Sequence, residues 1–124
     1  MPTAPPIVPD VPLNELPAAL VPVLSGLCPS GAGGYGASGS LTLTDQQVED
    51  PGTDAIRAAV RKAAHSLGWT VTTFPYELAG ATAISVKDNR PVPEQHRDAV
   101  EAHRQKLMRE AVEQVHRRFR ERTA

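Results

Sequence analysis

The stretch WTVTTFPYELAGATAISV, residues 69–86, decides the fold. Its first part, Trp69 to Phe74, is rich in β-branched and aromatic residues, and Ala81 to Val86 forms a second apolar run. Both patterns are typical of strands, and the intervening PYELAG has the length and the Pro and Gly content of a hairpin loop. The sequence therefore predicts two antiparallel strands. Trp69 and Phe74 are predicted to be core residues on opposite faces of the first strand, because their separation is odd.

A helix is predicted immediately before the hairpin. Apolar residues recur at helical spacing from Ile56 to Leu67, which places them on one face. Thr53 is a suitable N-cap, and Asp54 favours the positive end of the helix dipole. Gly68 then supplies the C-terminal stop.

A long helix is predicted after the hairpin, from Pro93 to about Arg122, a stretch with no further Gly or Pro. Its apolar stripe consists of Val100, Leu107, Met108, Ala111, Val112, Val115 and Phe119. A helix of about thirty residues extends for about 45 Å, more than two short strands and a four-turn helix can cover. Either the N-terminal apolar segment or a partner covers the remainder. The predicted partner-binding residues are Val112, Val115 and Phe119.

The N-terminal part of the chain differs in composition from the rest. Eight of the twelve prolines occur by position 29, and six of the nine glycines lie in residues 26–39. Such a stretch rarely forms regular elements. We therefore expect a Pro/Gly-rich acidic arm over residues 1–52 and a compact domain over residues 53–124. The arm contains a short apolar segment at 13–27 and a possible strand at 40–44.

These elements combine into one predicted architecture. The fold class is α+β, a small (β)αββα domain with an antiparallel hairpin, a long C-terminal helix and an extended Pro/Gly-rich N-terminal arm. The order of elements is shared by many unrelated folds, so it indicates no family.

Formal charge is divided unequally along the chain, although the net charge is −1. Residues 1–56 contain six acidic residues and no Lys, Arg or His, whereas residues 57–124 contain thirteen Lys and Arg and eight Asp and Glu. The two parts therefore carry −6 and +5. Either the acidic arm lies near its own basic domain, or a basic surface is kept for a partner.

The C-terminal helix carries the candidates for nucleic-acid binding, because guanidinium groups offer a planar fork of donors to phosphates. These are Arg109, Arg117, Arg118, Arg120 and Arg122. The alternative is that the charges stabilise the helix itself through pairs four residues apart, such as Lys106 with Glu110 and Glu113 with Arg117.

Gly31, Gly33 and Gly36 match the G-x-G-x-x-G spacing of a dinucleotide-binding loop. That loop needs a preceding strand, a helix that starts within it and an acidic residue about twenty positions later. The flanking residues LCPS and ASGSLTLT do not provide this context, and Ala37 stands where a P-loop requires Lys. The sequence therefore predicts a flexible linker or a fitted arm, with no bound cofactor.

Residues suited to catalysis or metal binding are sparse. His96 and His103 lie about 10.5 Å apart along a helix, too far to share one metal ion. Glu113 and His116 form an isolated E-x-x-H pair without further inward glutamates. Cys28, the single cysteine, has no His within thirty positions. The sequence therefore predicts no catalytic residues, no metal site and no enzyme activity.

The expected compartment is the cytoplasm, or a particle assembled there. A single cysteine fits a reducing compartment, and prolines interrupt the apolar segment at 13–27, which argues against a signal peptide or membrane span. The excess of Arg over Lys, together with abundant Ala, Pro and Gly, indicates a GC-rich bacterial, phage or plasmid genome. We expect a non-enzymatic interaction or assembly subunit, for example of a phage particle, with a protein or a second copy as partner and no small-molecule substrate. The alternative is a small nucleic-acid-binding regulatory protein.

Overall fold

Three strands and four helices make up the fold in the computed structural model, which describes residues 6–78 and 80–123. The side chains of residues 78, 118, 119 and 121–123 lie outside that description. The elements are α1 (Leu16–Ser25), β1 (Ser38–Leu43), α2 (Asp45–Gln47), a π-helical turn (Val48–Gly52), α3 (Thr53–Ser66), β2 (Val71–Leu78), β3 (Ala81–Asp88), a 3-10 turn (Glu94–His96) and α4 (Arg97–Thr123). The predicted α+β class, the antiparallel hairpin and the long C-terminal helix are confirmed.

The sheet has the strand order β1-β3-β2, and both pairs of strands are antiparallel. In the hairpin the register runs from Val71 opposite Asp88 to Leu78 opposite Ala81. The prediction of a six-residue loop is therefore wrong, because β2 continues through Pro75. Proline lacks an N–H, and it is tolerated here because β2 is an edge strand.

One face of the sheet packs against α1 and α3. Helix α1 contributes a stripe at four-residue spacing, Leu16, Leu20 and Leu24. Helix α3 contributes Ile56, Ala59, Val60, Ala63 and Ala64, and the sheet contributes Leu41, Leu43, Ile84 and Val86. Helix α1 and strand β1 overlap the predicted apolar segment at 13–27 and the predicted strand at 40–44. The predicted boundary after residue 52 thus runs through one shared core.

The chain before α1 lies along the outer edge of β1. The Val8 N–H donates to the Thr42 carbonyl at 2.9 Å, and the Thr42 N–H donates to the Pro6 carbonyl at 2.8 Å. The Val8 side chain is buried in the core. The Gln47 side-chain amide donates to the Val8 carbonyl at 2.9 Å, which fastens this segment to α2.

Two predictions about aromatic residues have different outcomes. Trp69 is buried, as predicted, although it precedes β2 rather than lying in it. The prediction that Phe74 is a core residue is wrong, since its side chain is 64% exposed. Phe74 lies opposite Ser85, so the period of two places both on the face of the sheet that points away from Val86 and the core.

Helix boundaries differ from the predicted ones at two N-termini. Gly52, with φ of +97°, occupies the N-cap position of α3, so the prediction of Thr53 as the cap is wrong. The residues after Pro93 form the 3-10 turn, and α4 begins at Arg97. The predicted stop of α3 is confirmed, because Gly68 follows the C-cap with φ of +79°.

Candidate interaction surface

Helix α4 is anchored at its first turns and exposed farther along. Its 27 residues give a length of about 40 Å. Val100 is buried close to Gly36, where an added Cβ would lie 2.6 Å from a Val100 methyl group. By contrast, Met108 is 69% exposed, Val112 48% and Val115 63%. Within the described residues, no side chain therefore covers Met108, Val112 and Val115 completely.

The exposed apolar residues share one side of α4. Met108, Val112 and Val115 are separated by four and three residues, which places them within an arc of about 60° on a helix of 3.6 residues per turn. We name these three residues the exposed stripe. Phe119 is the next position in this spacing, but its side chain lies outside the described residues. The exposed stripe thus contains two of the three predicted partner-binding residues.

A second stripe of α4 is partly covered. It consists of Val100, His103, Leu107, Glu110 and Gln114, which are buried or half-buried at alternating separations of three and four residues. His103 Nε2 is buried and has no hydrogen-bond partner among the described residues. The contrast between the two stripes shows that one side of α4 is more exposed than the other.

The candidate nucleic-acid-binding residues are exposed wherever the structure describes their side chains. Arg109, Arg117 and Arg120 are exposed, whereas the side chains of Arg118 and Arg122 are not described. Among the described side chains, ion pairs within 4.0 Å join Arg57 to Asp54 and Arg90 to Asp88. The predicted pairs Lys106 with Glu110 and Glu113 with Arg117, whose side chains are all described, are therefore not within 4.0 Å.

The glycine-rich segment before β1 has a defined conformation. Gly31, Gly33, Gly34 and Gly36 all have positive φ, between +64° and +84°, a region that L residues with side chains rarely adopt. A Cβ added at Gly33 would lie 2.5 Å from the Nε2 atom of His96. The glycines thus permit a tight path of the backbone against the start of α4.

Arg90 fastens this segment to the end of β3. Its Nη2 donates to the Gly34 carbonyl at 2.6 Å and to Asp88 Oδ2 at 2.7 Å, and its Nε donates to the same carboxylate oxygen at 2.9 Å. The Asp88 side chain has no exposed surface. The hydrogen bond to Asp88 raises the pKa of Arg90. The guanidinium also lies 4.5 Å from the ring centre of Tyr35 and 5.7 Å from that of Trp69.

The Arg90 cluster, which consists of Gly34, Tyr35, Trp69, Asp88 and Arg90, extends to the 3-10 turn before α4 through an aromatic contact. The rings of Tyr35 and His96 stack, with centroids 6.1 Å apart and planes inclined by 23°. The sequence reasoning did not identify Arg90, Asp88 or Tyr35 as important. One signal was available, because Asp88 has the same strand parity as the apolar residues Ile84 and Val86. A carboxylate at a core-facing position needs a cation.

Cys28 lies beside the same cluster. Its Sγ is 3.7 Å from the Gly34 carbonyl oxygen. Burial raises the pKa of the Cys28 thiol, although the nearby Arg90 charge acts in the opposite direction. A thiol with a raised pKa is less ionised at neutral pH and is therefore a weak nucleophile.

In residues 6–78 and 80–123, no group of three His, Cys, Asp or Glu side chains is placed to hold a metal ion. The donors of Arg90 that face the cluster are engaged by Asp88 and Gly34. Over the same residues, no helix has both the length and the apolar character needed to cross a bilayer.

Comparisons with models of known protein families, with curated proteins and with solved structures found no match.

Proposed function

We propose that the protein is a non-enzymatic assembly subunit that binds a protein partner through the exposed stripe of α4. The observation that carries the proposal is the exposure of Met108, Val112 and Val115 on one side of α4, a helix whose first turns pack against the rest of the molecule through Val100. Contiguous apolar side chains on a helix face are typical of surfaces that another chain covers. We place this function in the cytoplasm, since a single cysteine fits a reducing compartment.

The size of the exposed stripe sets the strength of the proposed contact. Complete burial of one Val or Met side chain contributes about 1.5–3 kcal/mol. Three such side chains therefore contribute several kcal/mol, while association costs about 4–15 kcal/mol in lost translational and rotational freedom. The exposed stripe alone supports a weak contact, so a stable complex needs complementary charge or additional apolar area.

Self-association of the purified protein tests whether a second copy of this chain is that partner. We expect the weight-average mass to rise with concentration in sedimentation equilibrium, and the double variant Val112→Ser, Val115→Ser to remain monomeric. Val and Ser have similar helix propensities, so α4 is expected to persist, and circular dichroism checks this. The control is Ala102→Ser, an exposed position about 110° around α4 from the centre of the exposed stripe. A wild-type protein that stays monomeric at several hundred micromolar contradicts self-association, as does a double variant that associates like wild type.

Nucleic-acid binding is a second candidate function, favoured by the exposed guanidinium groups of Arg109 and Arg117. If it is correct, replacing all five candidate arginines by Gln weakens binding to a fluorescein-labelled DNA duplex, measured by anisotropy. The logarithm of the wild-type binding constant should then fall with the logarithm of salt concentration at a slope of about −0.9 for each phosphate contact. The Val112→Ser, Val115→Ser variant should bind DNA like wild type. Equal binding by the wild type and the arginine variant contradicts this candidate.

A further inference from the structure

A shallow groove lined by both apolar and acidic residues lies between the N-terminal segment and the turn that contains Asp50. The cavity has a volume of about 370 Å³, and its lining residues are Asp10, Val11, Pro12, Leu13, Asp50 and Pro51. Val11 and Leu13 are exposed there, and so is the nearby Ile7. We call the six lining residues the acidic groove.

The charged side chains of the sequence segment that forms the acidic groove are all acidic. Residues 1–56 contain no Lys, Arg or His. The acidic residues of this part are all exposed, namely Asp10, Glu15, Asp45, Glu49, Asp50 and Asp54. Among them, an ion pair within 4.0 Å is formed by Asp54, with Arg57. A negatively charged surface repels phosphates, so nucleic acid does not fit this groove.

The two walls of the acidic groove are held together before any partner binds. Gln47 donates through its side-chain amide to the carbonyls of Val8, at 2.9 Å, and Pro9, at 3.4 Å. Its backbone N–H donates to the Thr44 hydroxyl, and its side-chain oxygen accepts from the Thr44 N–H. These bonds connect the segment before Asp10 to the turn that contains Asp50. A preformed groove reduces the entropic cost of binding.

The distal part of α4 has the complementary composition. The exposed stripe is apolar, and two exposed basic residues, Arg104 and Arg109, flank it on its two sides. A groove lined by apolar and acidic residues is suited to bind a basic amphipathic helix, because the apolar surfaces pack together and the opposite charges attract. Both surfaces are exposed in the same molecule, so the exposed stripe does not occupy the acidic groove of its own chain.

We propose that the acidic groove of one molecule binds α4 of a second molecule, through the exposed stripe and its flanking arginines. This inference rests on the proposed function and names its partner, a second copy of this chain. Each molecule offers one groove and one helix, so the contact is head-to-tail rather than two-fold symmetric. Head-to-tail contacts between identical subunits form rings when the rotation closes and open chains when it does not.

Mixing two defective variants tests the head-to-tail contact. The groove variant carries Asp10→Lys and Leu13→Lys, and the helix variant carries Val112→Glu and Val115→Glu; all four positions are exposed. Each change is expected to weaken self-association by about a hundredfold, as for central interface residues. An equimolar mixture should nevertheless form a heterodimer of twice the 13.3 kDa chain mass, because it retains one intact groove and one intact helix.

The outcomes of this experiment separate the inference from the proposed function. A mixture that remains monomeric while wild type associates overturns the head-to-tail contact and indicates symmetric pairing of α4. Self-association of either variant alone at wild-type strength also overturns it. A wild type that stays monomeric rules out a second copy of this chain as the partner, and the head-to-tail contact with it. Circular dichroism and Trp69 fluorescence check that each variant is folded.

A matched charge control tests the location of the contact. Asp45 is exposed and lies outside the residues that line the acidic groove. The helix variant combined with Asp45→Lys should therefore still bind the groove variant, with less than a threefold change in the dissociation constant. Loss of binding in this combination contradicts a specific groove and indicates attraction by overall charge.

Discussion

Replacing Arg90 by Ala is expected to lower the free energy of unfolding by about 3–5 kcal/mol, because it leaves a buried carboxylate without its cation. Asp88 has no exposed side-chain surface and receives hydrogen bonds from the Arg90 backbone and guanidinium. The same change also frees the Gly34 carbonyl and removes the guanidinium from between Tyr35 and Trp69. Urea unfolding followed by circular dichroism and by Trp69 fluorescence measures the effect.

Two further variants distinguish the buried pair from an ordinary ion pair. Asp54→Ala removes the partner of Arg57 in an exposed pair 3.7 Å apart and should cost less than about 1 kcal/mol. The double variant Asp88→Leu, Arg90→Met should recover much of the stability lost in Arg90→Ala, because apolar side chains of similar volume can replace a buried pair. An Arg90→Ala variant that loses less than about 1 kcal/mol contradicts this account of the cluster.

The regular elements were predictable where the pattern is local. The period of two in the hairpin, the helical spacing from Ile56 to Leu67 and the absence of Gly and Pro after Pro93 each depend on a short window of sequence. Phe74 shows the limit of such windows. Its odd separation from Trp69 predicts opposite faces, but Trp69 lies outside the strand, and the face that becomes the core depends on where α1 and α3 pack.

The order in the glycine-rich segment was not predictable, because its stabilising contacts are distant in sequence. Arg90 and Gly34 are 56 positions apart, and glycine alone does not indicate which positive-φ conformation is adopted. The same reason explains why α1 and β1 contribute to the core despite the Pro and Gly content of residues 1–52. Pro17 stands in the first turn of α1, where its missing N–H removes no helical hydrogen bond.

Of the two proposed contact surfaces, the exposed stripe was predictable from the sequence and the acidic groove was not. The length of the last helix and its apolar spacing placed Val112 and Val115 beyond the hairpin, and both side chains are exposed. The acidic groove was not recognised, because its lining residues come from two segments that lie forty positions apart in the sequence. The charge division between residues 1–56 and 57–124 was visible, but the sequence alone does not say which acidic residues surround an apolar surface.

Replacing Gly36 by Ala is expected to cost about 2–4 kcal/mol of unfolding free energy. The new Cβ would lie 2.6 and 2.7 Å from the two methyl carbons of Val100, and φ of +75° is strained for Ala. Gly34→Ala is the matched control, because its φ is +84° and, apart from its chain neighbours, no heavy atom of the described residues lies within 4 Å of the added Cβ. It should cost only the backbone strain, about 1–2 kcal/mol.

The unfolding free energy lost in Gly36→Ala, beyond that lost in Gly34→Ala, measures how closely α4 packs against the glycine-rich segment. If overpacking against Val100 is the cause, Val100→Ala introduced into the Gly36→Ala variant should destabilise it less than Val100→Ala destabilises wild type. The displaced first turn of α4 should also exchange its amide hydrogens faster in Gly36→Ala than in Gly34→Ala. Equal unfolding free energies for the two alanine variants would contradict the close contact between Gly36 and Val100. In that case, this contact would not anchor the first turns of α4, the helix that carries the exposed stripe.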